Sequence, residues 1–139
     1  MDFQGVGPFD SDAAADFIRD LYDTDTDGRL RVIETVLRTG ADPGDDFLDS
    51  HEAEAAIVAA AIVRTFRTAE AEVVIPEPIA FLGSGGLPPI PEKLTPLAAR
   101  ALERALAADS ELNEMWAATA NHQSWRAAVL ALRRELTEA

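Results

Sequence analysis

The chain has 139 residues, of which 25 are acidic and 12 are basic, and its formal net charge is −13. This length predicts a single domain, residues 1–139, while the absence of cysteine excludes disulfides and thiolate chemistry. The acidic balance argues against nucleic acid as a ligand, because binding would bring like charges together. The sequence contains no apolar run of about 18 residues, so no membrane span is predicted. The N-terminus lacks the basic start of a secretory signal, and we therefore expect a cytoplasmic protein.

Two helices are predicted in the first third of the chain, after an irregular segment at 1–10. The first begins near 10–12, where carboxylates suit a helix N-terminus. An Asp27-Gly28 pair then interrupts the pattern, and the second helix is predicted to end at Gly40, as a C-terminal glycine would. Their apolar residues recur at helical spacing: Ala14, Phe17, Ile18, Leu21, Leu30, Ile33, Val36 and Leu37.

The middle of the chain predicts a buried central helix. Asp49-Ser50-His51-Glu52 has the pattern of a capping box, an acceptor followed three residues later by glutamate. From 53 to 66 the sequence AEAAIVAAAIVRTF is apolar nearly all round. Such a helix is expected to pack on several sides at once.

Residues 73–96 change character, since they hold six of the eight prolines and a Gly-Ser-Gly-Gly turn. Proline at this density removes backbone donors and forbids a continuous helix. We therefore expect a long irregular loop, in which VVIPEP or IAFLG forms a short strand. Loops of this length are often functional.

Three more helix starts are predicted after the loop, at Thr95-Pro96, at Ser110 and at Ser124. The two tryptophans, Trp116 and Trp125, are expected in the core. The whole pattern predicts an all-α domain of five to six helices.

One stretch has the spacing of a calcium loop of the EF-hand type, DTDTDGRLRVIE at 23–34. Such a loop needs oxygen ligands at positions 1, 3, 5, 7 and 12, and glycine at position 6. The alternative is a helix turn that uses Asp-Gly and leaves its aspartates in solvent. The candidate ligands are Asp23, Asp25, Asp27, the Arg29 carbonyl and Glu34, with Gly28 at position 6.

The chain resembles the bacterial family catalogued as domain of unknown function 4259. The resemblance rests on a Gly-x-Gly-x-Phe opening followed by acidic residues, on Phe47-Leu48-Asp49, and on Ser110-Glu111-Leu112 with two tryptophans. It implies an α-helical bacterial domain, and it implies no activity, since the family has none established. The chain departs from the family at Gln4, usually tryptophan, and near Ala61, usually glutamate. The matching residues include Gly5, Gly7, Phe9, Asp10, Asp12, Asp16, Trp116 and Trp125.

Three functional classes remain open from the sequence. A binding module for another protein, steered by charge toward a basic partner, is the favoured hypothesis, with an immunity-type inhibitor as its most concrete form. A calcium-responsive module built on 23–34 is the first alternative. An enzyme without a recognisable motif is the second alternative. The sequence shows no combination of nucleophile, base and orienting group that would support it.

Overall fold

The computed structural model describes residues 7–42, 48–67, 75–83 and 85–137, and the regular elements in those ranges are helical. The all-α class is confirmed. The six α-helices lie at the upper end of the predicted five to six, and a 3₁₀ helix, which the sequence did not predict, is added to them. The elements are α1 Asp12–Asp23, α2 Thr26–Ala41, α3 Ser50–Phe66, the 3₁₀ helix Glu77–Leu82, α4 Leu94–Ala105, α5 Glu111–Ala117 and α6 His122–Thr137.

Helix α3 lies at the centre of the domain, as predicted. It contacts each of the other five α-helices, so it has no face free for solvent over most of its length. Small side chains allow this, because alanine lets neighbouring helix backbones approach closely. The fully buried alanines are Ala53, Ala56, Ala59, Ala60 and Ala61. At 17 residues α3 is the longest helix of the described ranges, and none of those helices combines the length and apolarity needed to cross a bilayer.

Gly40 does not end α2, as the sequence predicted, but lies inside it. The helix continues to Ala41, and Gly40 is buried where α2 meets α3 and α4. A Cβ atom at position 40 would lie 2.7 Å from the Cβ of Ala56 and 3.4 Å from the Cβ of Ala101. The glycine is therefore required for close helix approach, and not for a left-handed C-terminal turn.

The predicted helix starts are partly confirmed. Asp49 caps α3 by accepting from the amides of His51 and Glu52. Ser110 caps α5 by accepting from the Asn113 amide at 3.3 Å. Helix α4 begins at Leu94, one residue earlier than predicted. Helix α6 begins at His122, so Ser124 lies in its first turn and is not its cap.

The proline-rich segment forms a 3₁₀ helix where a strand was one of the predictions. Pro78 stands in its first turn, where a fixed φ suits a helix and the missing amide costs nothing. Its buried residues Ile79 and Leu82 attach the segment to the core. The VVI part of the other predicted strand extends outside the described residues, and no strand pair occurs in 75–83 or 85–96.

Hydrogen bonds join the N-termini of α3 and α5, which are distant in sequence. Leu48, before α3, forms an isolated parallel bridge with Ser110, before α5. The Glu111 amide donates to the Leu48 carbonyl at 2.9 Å, and the Glu111 carboxylate accepts from the Ser50 amide at 2.7 Å. A first-turn residue of α5 thereby serves as an N-terminal acceptor for α3.

Candidate functional site

The predicted calcium loop is mostly helix. Helix α1 ends at Asp23 and α2 begins at Thr26, so only two residues separate them. Asp25 accepts a hydrogen bond from the Gly28 amide at 2.9 Å and acts as the N-cap of α2. Asp27 and Gly28, predicted to interrupt the helical pattern, instead belong to the first turn of α2. Positions 26–34 therefore cannot wrap around an ion as a loop while α2 is intact.

Arg29, whose carbonyl was the predicted calcium ligand, interacts at this turn mainly through its side chain. Its Nε donates to the carbonyls of Leu21 at 2.9 Å and Thr24 at 3.0 Å, and a terminal nitrogen donates to Tyr22 at 3.2 Å. The last carbonyls of a helix lack intrahelical partners, and of these the Leu21 carbonyl also accepts from the Thr24 amide at 3.1 Å. The guanidinium of Arg29, on α2, thus donates hydrogen bonds to the C-terminal end of α1.

The same guanidinium attaches the proline-rich segment to the helix hairpin. Its second terminal nitrogen donates to the Gly86 carbonyl at 2.8 Å. The guanidinium carbon lies 5.0 Å from the centre of the Phe81 ring, a cation–π distance. Arg29 therefore links three segments of the chain.

Glu34, the predicted bidentate ligand, is paired with cations. Its Oε2 accepts from Nε of Arg38 at 2.9 Å and lies 3.5 Å from Nζ of Lys93. The hydrogen bond from Arg38, and then the nearby Lys93 charge, hold the pKa of Glu34 below its ordinary value against some desolvation. Within the ranges that the structure describes, no three His, Asp or Glu side chains converge as a metal site would require.

We therefore expect calcium, titrated into EDTA-treated protein in a calorimeter, to give no saturable heat at micromolar concentration. The reason is that Glu34 would have to leave two cations and the first turns of α2 would have to unwind. A Glu34→Gln variant serves as the control. Stoichiometric binding that this variant abolishes would restore the calcium hypothesis.

The residues of the family-type opening build a turn and the start of α1. The Asp10 carboxylate accepts from the Gly7 amide at 2.9 Å, and a Cβ on residue 7 would lie 2.8 Å from that carboxylate. Phe9 is half-buried against the core, whereas Asp12 and Asp16 are exposed on α1. Gly5 and Phe47 lie outside the described residues.

This N-terminal turn forms one wall of a cleft of about 140 Å³. Its apolar side is built around Trp116 and Trp125, whose rings stack in near-parallel planes with centroids 5.9 Å apart. Both tryptophans are almost wholly buried, at 2% and 3% exposure, which confirms that they belong to the core. We call this concavity the tryptophan cleft. Its lining residues are Gly7, Pro8, Ser11, Glu54, Ile57, Arg64, Trp116, Trp125, Ala128, Val129, Ala131, Leu132 and Glu135.

One end of the tryptophan cleft holds the half-buried carboxyl group of Glu54. Burial raises the pKa of Glu54 above its ordinary value, and Asp12 adds to the increase, while a hydrogen bond from Ser11 and the nearby His51 oppose it. Ser11 Oγ accepts from the Ala14 amide at 3.0 Å as the cap of α1, which leaves its hydrogen for Glu54.

The raised pKa has a cost for folding. A carboxyl group with a higher pKa in the folded state binds its proton more tightly there than in the unfolded state. Ionised Glu54 therefore lowers the stability of the chain at neutral pH. This penalty disappears as the pH falls below the ordinary carboxyl range. Residues kept at such a cost in a cleft are candidates for function.

The other end of the cleft is closed by an ion pair between Arg64 and Glu135, at 3.1 Å. Arg64 lies ten residues after Glu54 on α3, a distance of about 15 Å along the axis. Its Nε is buried and finds no hydrogen-bond partner among the described residues. Among the described residues, the cleft therefore has a carboxyl group without a Lys or Arg partner at one end and a paired charge at the other.

Sequence reasoning missed Glu54 and Arg64. Both occur near the ends of a stretch that is apolar nearly all round, and that pattern predicts only a buried helix. The signal was present in their spacing, because positions 54, 57 and 64 fall close to one face of a helix. Nothing in the sequence indicated that Gly7 and Ser11 would face them.

A second concavity, of about 240 Å³, lies where α2 meets α3. It is wider, more open and lined mostly by polar or small side chains, with His51 and Glu52 on α3 and Thr35 and Thr39 on α2. It is the more open of the two and contains, among the described residues, no aromatic ring other than His51, so the more enclosed tryptophan cleft is the better candidate for a binding site.

A family model described as Domain of unknown function (DUF4259) matches residues 4–128. The matched region includes α1 to α5 and the first part of α6. No curated protein and no solved structure matches the chain.

Proposed function

Since this chain belongs to the DUF4259 family, whose description assigns no activity, we propose from its own surface that it works by binding a basic protein, as an inhibitor of the immunity type. The contact surface is the exposed face of α1, with the adjoining edge of the 3₁₀ helix. We call it the acidic face. Its carboxylates are Asp12, Asp16, Asp20 and Asp23, all exposed.

The observation that supports the proposal is that the carboxylates of this face have no ion-pair partner in the part of the chain that the structure describes. No ion pair formed within the described ranges includes a carboxylate of α1. The ion pairs use other acidic residues, Glu34, Glu103, Asp109 and Glu135. Charges left unpaired on one face attract a basic partner and raise its association rate.

Many cations of the chain are used inside the molecule. Arg67 donates to the carbonyls of Leu136 at 2.9 Å and Glu135 at 2.6 Å, at the end of α6. Arg126 donates to the Leu106 carbonyl at 3.1 Å, and Arg29 donates to the end of α1 as described above. Positive charge directed to backbone carbonyls does not neutralise the acidic face, and Arg19, exposed on α1 itself, offsets only one of its four carboxylates.

An exposed aromatic residue lies beside the acidic face. Tyr22 is 64% exposed, the largest value among the large hydrophobic side chains in the described residues. Its ring meets Phe81 of the 3₁₀ helix edge-on, with centroids 5.4 Å apart. The acidic face and the proline-rich segment are thus neighbours. Tyrosine is enriched at the centres of protein interfaces.

The proposal is tested by capturing partners from the native host with three forms of the protein. The first is the unchanged chain, the second carries Asp16→Asn and Asp20→Asn, and the third carries Glu92→Gln and Glu114→Gln. The last two forms lose the same charge at exposed sites, but only one changes the acidic face.

We expect a basic partner to bind the unchanged chain and the Glu92/Glu114 form. The Asp16/Asp20 form should bind about tenfold more weakly at low salt, because steering by charge accounts for such factors. Addition of the chain in equal amount should abolish the partner's own activity. Failure to find a specific partner, or equal loss in both variant forms, would overturn the proposal.

A further inference from the structure

We propose that the tryptophan cleft binds a lysine side chain of the protein partner, with the ammonium group against Glu54 and the methylene stem along the apolar wall. This assignment rests on the proposed function, since it names the group by which a basic protein is recognised. It concerns a second contact, which adjoins the acidic face at Asp12.

The charge of the cleft favours a cation. Glu54 has no Lys or Arg partner within the described part of the chain, whereas Glu135 at the opposite end is already neutralised by Arg64. An incoming ammonium group would offset the burial that destabilises the Glu54 carboxylate, and hydrogen bonds between ions of opposite charge are the stronger kind. A neutral or anionic ligand would leave that carboxylate uncompensated.

The walls of the cleft favour a group with an apolar stem. Between Glu54 and the ion pair the lining is hydrophobic, and it includes Ile57, Trp125 and Val129. Long basic side chains commonly lay their methylene groups on such a surface while keeping the charged end at a polar site.

The size of the cleft favours lysine over arginine. A cavity of about 150 Å³ accommodates benzene, which has six heavy atoms. The cleft has about 140 Å³, and a lysine side chain has five heavy atoms beyond Cα, whereas arginine has seven. The compact ammonium group also suits a single carboxylate, while guanidinium is suited to bidentate pairing.

The chain provides its own reporter for this site. It contains two tryptophans, and both line the cleft. The two indole N–H signals in a ¹⁵N–¹H spectrum of the full chain therefore report on this cleft and on no other tryptophan. The probe is n-butylammonium, which reproduces the lysine side chain, and n-butanol and butyrate are its neutral and anionic counterparts.

We expect n-butylammonium to shift the indole signals saturably, with dissociation in the millimolar range that is typical of so small a ligand. Glu54→Gln should weaken this binding about tenfold, because it removes the charged acceptor. Glu52→Gln changes an exposed carboxylate on the same helix and should leave the affinity within about twofold. Butanol should bind more weakly than the amine, and butyrate should not bind.

Absence of a saturable shift, equal binding of butanol, or full affinity in Glu54→Gln would overturn the assignment. A second titration, with N-acetyl-lysine N-methylamide, tests whether the amine comes from a protein. Binding of n-butylammonium without binding of this compound would contradict a lysine residue as the ligand. If the cleft fails these tests while the Asp16/Asp20 form still loses its partner, the proposed function stands and the lysine assignment alone is wrong.

Discussion

Replacing Arg29 with methionine is expected to lower the free energy of unfolding by about 2–3 kcal/mol, measured by urea denaturation followed by circular dichroism. Methionine keeps much of the aliphatic stem but removes every donor. The carbonyls of Leu21, Thr24 and Gly86 would lose a charged partner in a part-buried position. Hydrogen bonds to charged groups contribute more than neutral ones, and an acceptor left without a partner adds a further cost. That further cost does not apply to Leu21, whose carbonyl keeps the Thr24 amide.

Arg31→Met is the matched control, because Arg31 is exposed on the same helix and donates no hydrogen bond that the described residues accept. It should change stability by no more than about 0.5 kcal/mol. Arg29→Lys should recover only part of the loss, since an ammonium group lacks the planar fork that reaches several carbonyls. Equal stability of the Arg29→Met and Arg31→Met variants would show that this network contributes little.

Replacing Gly40 with alanine is expected to destabilise the domain by about 1–3 kcal/mol, although alanine favours helices. The added Cβ would lie 2.7 Å from the Cβ of Ala56, which is far inside van der Waals contact. Neither atom can move unless α2 and α3 separate. The Ala101 side chain of α4, at 3.4 Å, prevents α2 from shifting toward the other side without cost.

The control is Gly28→Ala in the first turn of the same helix. The new Cβ there meets the ends of the Thr24 and Asp25 side chains, at 2.9 and 3.0 Å, and displacing Asp25 weakens its cap by about 1 kcal/mol, which the helix propensity of alanine offsets. This variant should stay within about 1 kcal/mol of the unchanged chain, because helix propensity and adjustment nearly cancel. A thermal midpoint that falls equally in both variants would contradict the close approach of α2 and α3 at Gly40.

Much of the helical framework follows from local chemistry that the sequence displays. Ser110 and Asp49 are caps in the sequence and in the structure, because an N-cap depends on neighbouring amides alone. The central place of α3 follows from its even apolarity. The 3₁₀ helix was missed because prolines exclude an α-helix without specifying what replaces it, and Ile79 and Leu82 satisfy either a strand or a short helix.

The wrong predictions at Gly40 and Gly28 share a cause. A glycine after a helical run marks a helix terminus only when it is needed for a left-handed backbone conformation. Gly40 is needed instead because Ala56, distant in sequence, leaves no room for a Cβ atom. The spacing of 23–34 fits calcium position by position, but spacing carries no information on where an arginine side chain will go. Whether the loop binds calcium stays a prediction until it is titrated.

The tryptophan cleft was not predictable for a related reason. Trp116 and Trp125 were correctly expected in the core. The cleft beside them, however, depends on which residues of other elements pack around the two rings. Glu54 acquires its raised pKa from burial and from Asp12, and burial depends on how α1, α3 and α6 assemble. Sequence patterns describe one element at a time, and this site lies between several.

The enclosure of α3 by five other helices has a consequence for hydrogen exchange. Its backbone amides between 57 and 63 are screened on every side, so no partial opening that releases a single neighbour exposes them to solvent. They exchange with deuterium only when the whole domain opens. The slowest amides of this helix therefore give the global free energy of opening under native conditions, without denaturant. The amides of the seven-residue α5 exchange earlier, through local fraying.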